Sequence, residues 1–273
     1  MTAPVFANSA LVKAPERLVL RGAPWRQRAL WVRYGLYLSP VAGPVLIDTG
    51  YTAHALQAAG RSAALRFYGR ALGAHLLPDG QPEPFLARHG LRVDDITTVI
   101  VTHFHADHVS GLHLFPKARF IAGRAGWDAL RGAGRWGNLR HAVFPELLPP
   151  DFAERLDLIE DKPLVQTDLG MAHDLLGDGA LLALALPGHA VGHLGLLFAA
   201  LKKPLLYAVD TQWMLAALPA ARRPGLPAML VATDRAAHAG SCDLVAGVAA
   251  SGGDVVLCHD PAPTRYDEPD PCA

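Results

Sequence analysis

The string Thr102-His103-Phe104-His105-Ala106-Asp107-His108 directly follows the apolar run 97–101 and constrains this chain more than any other stretch. It places three imidazoles and one carboxylate together at the end of an expected buried strand. His103 and His105 flank a bulky apolar residue, so a turning loop can aim both rings at one point. Asp107 and His108 follow at once and can aim at a second point nearby. Imidazole mixed with carboxylate is the donor set that zinc and similar transition metals favour. The segment is expected to be a metal site.

Other zinc patterns are missing from the sequence. It has neither a His-Glu-x-x-His string nor the His-x-Glu with Pro-Cys-x-x-Cys of zinc deaminases. Cys242, Cys258 and Cys272 stand singly, which gives neither a zinc knuckle nor a disulfide framework. Strand alternation over 254–258 turns Cys258 away from the metals and predicts a small core residue.

Apolar runs read as strands at 16–20, 29–38, 45–47, 97–101, 118–122, 156–159, 180–186, 194–198, 205–209 and 254–258. Helical spacing covers 53–76, broken by glycines, then 84–90, 124–136 and 234–250, the last with Asp234 as N-cap. Asp48, His103, His189, Asp210 and His259 each fall at or just past the C-terminal end of a strand. That pattern describes a site on the rim of a sheet, carried by loops on a rigid scaffold. Strand runs at both ends of the chain, with helices between them, favour an α/β fold of two sheets face to face with helices outside. A Rossmann-type sheet is disfavoured, and its glycine-rich fingerprint is absent.

The 273 residues are 51% hydrophobic with zero formal net charge. A single domain over 1–273 accommodates this, with insertions near 60–90 and 124–155. Neutral charge argues against nucleic acid as a partner, and no apolar run is long enough to span a membrane. Residues 1–20 lack the pattern of a signal peptide, and the cysteine count suits a reducing compartment, so a cytoplasmic location is expected.

The ordered set of these residues resembles the metallo-β-lactamase superfamily. His103, His105, Asp107 and His108 match its His-x-His-x-Asp-His signature. His189 lies in Pro187-Gly188-His189, Asp210 ends Tyr207-Ala208-Val209-Asp210, and His259 lies in Cys258-His259-Asp260-Pro261. The resemblance implies a four-layer αββα sandwich and two zinc ions, with other divalent transition metals as alternatives. It implies that His103, His105 and His189 hold one ion, that Asp107, His108 and His259 hold the other, and that Asp210 bridges them. A hydroxide between the metals then attacks the scissile carbonyl, and Asp107 relays a proton to the leaving group. Asp48 and His193 are expected to orient ligands from behind.

Within that superfamily, Pro187-Gly188-His189-Ala190-Val191-Gly192-His193 and the 144–152 segment resemble the quorum-quenching lactonases, which open N-acyl homoserine lactones. Glyoxalase II-like thioesterases and a catalytically inactive metal-binding protein are the alternatives. Trp213 stands where the lactonase branch has tyrosine, and Ala190 where it has threonine. Trp213, Phe67, Tyr68, Trp136 and Phe144 are expected to contact a small-molecule substrate. A homodimer is compatible with the chain, which does not specify one.

Overall fold

The computed structural model describes residues 2–132, 134–218, 224–225 and 232–269. Cys272 lies outside them. Seven strands form one sheet: β1 (Val5–Pro15), β2 (Gln27–Ser39), β3 (Gly43–Ile47), β4 (His75–Leu76), β5 (Thr98–Val101), β6 (Arg119–Ala122) and β7 (Leu156–Leu158). Their spatial order is β4-β1-β2-β3-β5-β6-β7. β1, β2 and β3 pair antiparallel, and β3, β5, β6 and β7 pair parallel. β3, β5 and β6 are short and almost wholly apolar, as strands covered on both faces must be.

The second sheet holds β8 (Leu164–Thr167), β9 (Gly170–Asp174), β10 (Leu181–Ala185), β11 (Leu194–Phe198), β12 (Leu205–Val209) and β13 (Asp254–Leu257). Its order is β13-β12-β11-β10-β9-β8, antiparallel except for the β12–β13 pair. Phe6 meets Tyr207 at 4.6 Å and Tyr37 meets Phe198 at 5.4 Å between ring centroids, closing the space between the sheets. A separate apolar layer of Leu182, Leu184, Leu206 and Leu257 seats Val245 of the long helix Arg235–Ala250 on the outer face of the second sheet. Asp234 caps that helix by accepting from the N–H groups of Ala236 and Ala237. Helices α2 (Ala53–Gln57), α3 (Ala63–Leu72) and α4 (Pro82–Arg88) contribute Ala55, Leu65 and Phe85 to the core of the first sheet. The architecture is the two-sheet αββα sandwich.

One local expectation needs correction, and two elements have no clear signal in the sequence. Residues 16–20 are not a strand: α1 spans Glu16–Val19, and the buried Glu16 carboxylate is taken by Arg26 and Arg28. β1 escapes a hydropathy reading because Ala7, Asn8, Ser9, Ala10, Lys13 and Ala14 blur its alternation, and its register shifts between Asn8 and Leu11. The β8–β9 hairpin escapes for a related reason, since half-exposed Leu164, Gln166 and Thr167 carry no clear apolar run.

Arg33, in the middle of β2, is fully buried. Its guanidinium donates to both carboxylate oxygens of Asp267 at 2.7 and 3.1 Å. It also donates to the carbonyls of Leu257 at 3.0 Å, Ala262 at 2.8 Å and Asp260. A planar five-donor fork can satisfy this many acceptors at once, and a lysine cannot. Arg33→Met strands the Asp267 carboxylate and three carbonyls. It is expected to cost about 3–5 kcal/mol of unfolding free energy, measured by denaturant titration.

Candidate metal centre

Asp48 follows β3 in a left-handed backbone conformation, φ 56°, which non-glycine residues seldom adopt. Its carboxylate is fully buried. One oxygen accepts the Thr102 N–H at 2.9 Å, and the other accepts the Thr102 hydroxyl and faces His108 Nδ1, both at 2.8 Å. The loop after β5 is thereby tied to the end of β3. Phe104 packs its ring 5.9 Å from that of Phe152 in the core, and its two neighbouring histidines turn the other way.

These hydrogen bonds set the tautomers. His108 Nδ1–H donates to Asp48, so Nε2 is left for the centre. Thr102 Oγ1 gives its proton to Asp48 and can accept from His103 Nδ1 at 3.2 Å, which frees His103 Nε2. His259 Nδ1 faces the Trp31 carbonyl at 2.7 Å, which again frees Nε2. Such partners behind a metal-facing histidine fix its ring and raise its basicity.

The freed atoms converge on Asp210. Its Oδ2 lies 3.8 Å from His103 Nε2, 3.3 Å from His189 Nε2, 3.5 Å from His108 Nε2 and 3.1 Å from His259 Nε2. His189 Nε2 and His105 Nδ1 are 3.1 Å apart. Asp107 Oδ2 is 3.5 Å from His259 Nε2 and 3.8 Å from His108 Nε2. Donors bound at about 2.0–2.2 Å to one ion stand about 3.3–3.6 Å from each other, so these spacings suit coordination. His103 Nε2 and Asp210 Oδ1 are buried without a hydrogen-bond partner. Orphaned polar atoms are costly in a folded interior, and a cation at this place removes the cost. His103, His105, His189 and Asp210 form one candidate ligand group. His108, Asp210, Cys258 and His259 form a second.

Backbone strain aims the shared carboxylate. Val209 has φ 52°, an outlying conformation for a β-branched residue, and it re-aims Asp210 as the chain leaves β12. His193 supports Asp210 from behind. Its Nδ1 faces the Leu186 carbonyl at 2.8 Å, which leaves Nε2 to accept the Asp210 N–H at 3.3 Å. Gly188, ahead of His189, has φ 115°, and a Cβ there would stand 2.2 Å from the backbone nitrogen of His238. Glycine is required there.

The two halves differ electrostatically. Burial and the neighbouring His108 and His105 push His103 well below the usual histidine range, and burial with His189 does the same to His105. Burial also opposes charge on His108, but Asp48, Asp107 and Asp210 outweigh it and hold its pKa high. His259 is raised likewise, chiefly by Asp210 against burial. Asp210 stays ionised despite burial because His259 and His108 face it.

A cavity of about 390 Å³ opens above the centre. His105, Asp107, His189, Asp210 and His259 form its floor, and Tyr68 and Trp213 stand in its walls. Trp213 lies edge-on to His259 at 5.1 Å. The remaining aromatics expected there are elsewhere. Phe67 is 66% and Trp136 85% exposed, on the solvent side of their helices, and Phe144 is buried under Tyr68 at 5.2 Å. Val12, Lys13, Leu18, Val19 and Leu30 supply the opposite wall, which the sequence reading missed. Arg33 and Asp260 were missed too, although a lone arginine inside an apolar run signals a buried ion pair. Cys258 also needs correction. It does face the inter-sheet core, but the donors sit over the end of that core, so its Sγ lies 4.0 Å from His108 Nε2.

His193 is fully buried and pushed down to about 3, chiefly by burial and then by His189. Between that value and the ordinary histidine value the unfolded chain binds a proton that the folded chain does not. Its contribution therefore lowers stability as pH falls through this window, by about 1.4 kcal/mol per pH unit. In chelator, His193→Gln is expected to reduce the acid slope of the unfolding free energy by about one proton. An unchanged slope refutes the assignment.

Residues 37–214 match the metallo-beta-lactamase superfamily. The N-acyl homoserine lactonase AttM of Azorhizobium caulinodans is 28% identical over 192 residues, which is 65% of this chain and 66%, just under two thirds, of that protein. A crystal structure of a B. thuringiensis AiiA mutant with N-decanoyl-L-homoserine at its active site superposes with TM-score 0.71 at 18% identity, covering 96% of this chain and 95% of that one. AidC, a dizinc quorum-quenching lactonase, superposes with TM-score 0.65 at 16% identity over 94% of this chain and 87% of its own. At such identities the structural likeness is one of fold. The match covers more than half the chain and contains the whole of the first candidate ligand group with His108 and Asp210 of the second, and the chain belongs to the metallo-β-lactamase superfamily.

Proposed function

We propose that this chain is a binuclear metal-dependent hydrolase that opens lactones of the N-acyl homoserine type or closely related esters. The observation that carries the proposal is Asp210 Oδ2, shared by two donor groups at the floor of a cavity with mainly apolar walls. His103, His105 and His189 would hold one zinc ion and Asp107, His108 and His259 the other, with Asp210 common to both. The ions would supply an activated water at neutral pH and polarise the carbonyl under attack.

The protein's own groups account for the rest. Asp107 lines the cavity beside His259, where its carboxylate can take a proton and pass it to the departing alkoxide. Val12, Leu18, Val19, Leu30 and Leu72 offer an apolar channel to an acyl group. Trp213 presents a large apolar face and one N–H donor near the ligands. AttM and AidC, both named as lactonases, favour this reading. A glutathione thioesterase would need several basic groups. Among the described residues lining the cavity, Lys13 is the one lysine or arginine.

Elemental analysis after zinc-replete expression should give a metal-to-protein ratio near two, and a ratio of one that added zinc leaves unchanged excludes the binuclear centre. Turnover on a panel of lactones, thioesters and phosphodiesters should be highest for acylated lactones. On the best of these substrates Asp107→Ala should lose about two to four orders of magnitude in kcat. Near-wild-type turnover by that variant removes the proton-relay role. Trp213→Phe should shift KM and acyl preference while kcat stays within about tenfold, the pattern of lost uniform binding. A thousandfold fall in kcat at constant KM would instead place the indole N–H in the transition state.

A further inference from the structure

We propose that the Cys258 thiolate is a ligand of the metal held by His108 and His259, reaching it from the core side, opposite the substrate cavity. The inference rests on the metal centre described above and adds a sulfur donor to it. One donor atom each from His108, Asp210, Cys258 and His259 lie within 4.8 Å of one another, and all four residues are buried. Cys258 is fully buried, with Sγ 4.0 Å from His108 Nε2. Its hydrogen-bond partner is the Arg33 carbonyl at 3.4 Å, an ordinary length for a thiol, which is a weak donor. Asp210, 2% exposed, keeps Oδ1 without a partner inside the same cluster.

Asp107 and Cys258 approach this place from different sides. Asp107 lines the cavity and is absent from the four-residue group, whereas Cys258 comes from beneath, between the sheets. Two imidazoles, a carboxylate and a thiolate make a complete four-donor set for zinc or cobalt. Coordination by sulfur releases the thiol proton to solvent and involves no redox change. A soft donor biases the position towards zinc and cobalt and away from magnesium and manganese. Asp107 keeps its place on the substrate side of the same ion, 3.5 Å from His259 Nε2, where it can still carry a proton. The other described cysteine, Cys242, lies against the Thr211 carbonyl and outside the cluster.

Cobalt reports the bond directly, since thiolate coordination gives a near-ultraviolet sulfur-to-metal charge-transfer band that nitrogen and oxygen donors do not. Metal-free protein titrated with cobalt should develop this band within the first two equivalents. The band should disappear in Cys258→Ser and persist in Cys242→Ser and Asp107→Asn. Zinc competition should show the Cys258→Ser variant binding one equivalent at least about tenfold more weakly, the other unchanged. Two bound cobalt ions without the band in the wild-type protein would overturn the proposal, whether or not the serine variant folds. A band that survives Cys258→Ser would overturn it as well. Failure of the wild-type protein to bind cobalt or zinc would instead remove the metal centre itself, and the thiolate ligand with it.

Discussion

The buried carboxylate of Asp48 is the joint between scaffold and site. It has no contact with solvent, and its two oxygens are divided among a backbone N–H, a hydroxyl and an imidazole. The Thr102 contacts register the loop after β5 against β3, and the His108 contact turns that ring to face Asp210. An unpaired carboxylate at this depth would be prohibitive, so the loop has little alternative to the arrangement it adopts. The positive φ of Asp48 belongs to the same economy: a local conformational cost is held in place by three hydrogen bonds that need it.

From that joint the charge is laid out unevenly. His103 and His105 are kept neutral and ready to act as ligands, whereas His108 and His259 sit among carboxylates that favour their protonated forms. Asp210 belongs to both neighbourhoods, and the strained turn at Val209 delivers it there. Two positions sharing one oxygen but differing in their surrounding charge are therefore unequal even before any ion enters. A thiolate beneath one of them would widen that difference.

Much of this was legible in the sequence because the informative residues stand at strand ends. An apolar run followed within two residues by His103, or at once by Asp210 or His259, is a local pattern, and strands as buried as β5 and β12 make it conspicuous. What stayed illegible depends on the partner rather than the run. Glu16–Val19 has the composition of a strand but turns into a helix, with Glu16 claimed by Arg26 just before β2 and Arg28 within it. The cavity wall from β1 and α1 is formed by residues remote from any motif, so no spacing announces it. Phe67 and Trp136 look like pocket residues by type, yet helix phase turns them outward. Alternation alone places Cys258 in the core. Alternation gives the face of a sheet but not what lies over the end of that face.

The Arg33 clamp has a bearing on how the centre comes together in time. Its bonds to Leu257, Asp260, Ala262 and Asp267 join residues 224 to 234 positions apart in the chain. Contacts at such separation form late, because the entropy of closing the loop is lost before they return anything. The ligands His103, His105 and His108 descend from local structure around β5, but His259 is oriented only when the C-terminal segment has docked against β2. Opening of that segment alone dismantles the half of the centre containing His259 and leaves the three-histidine half standing. In the proposed two-ion centre, the residence time of one ion would be set by a local unfolding equilibrium of that segment, and that of the other by the stability of the sandwich as a whole.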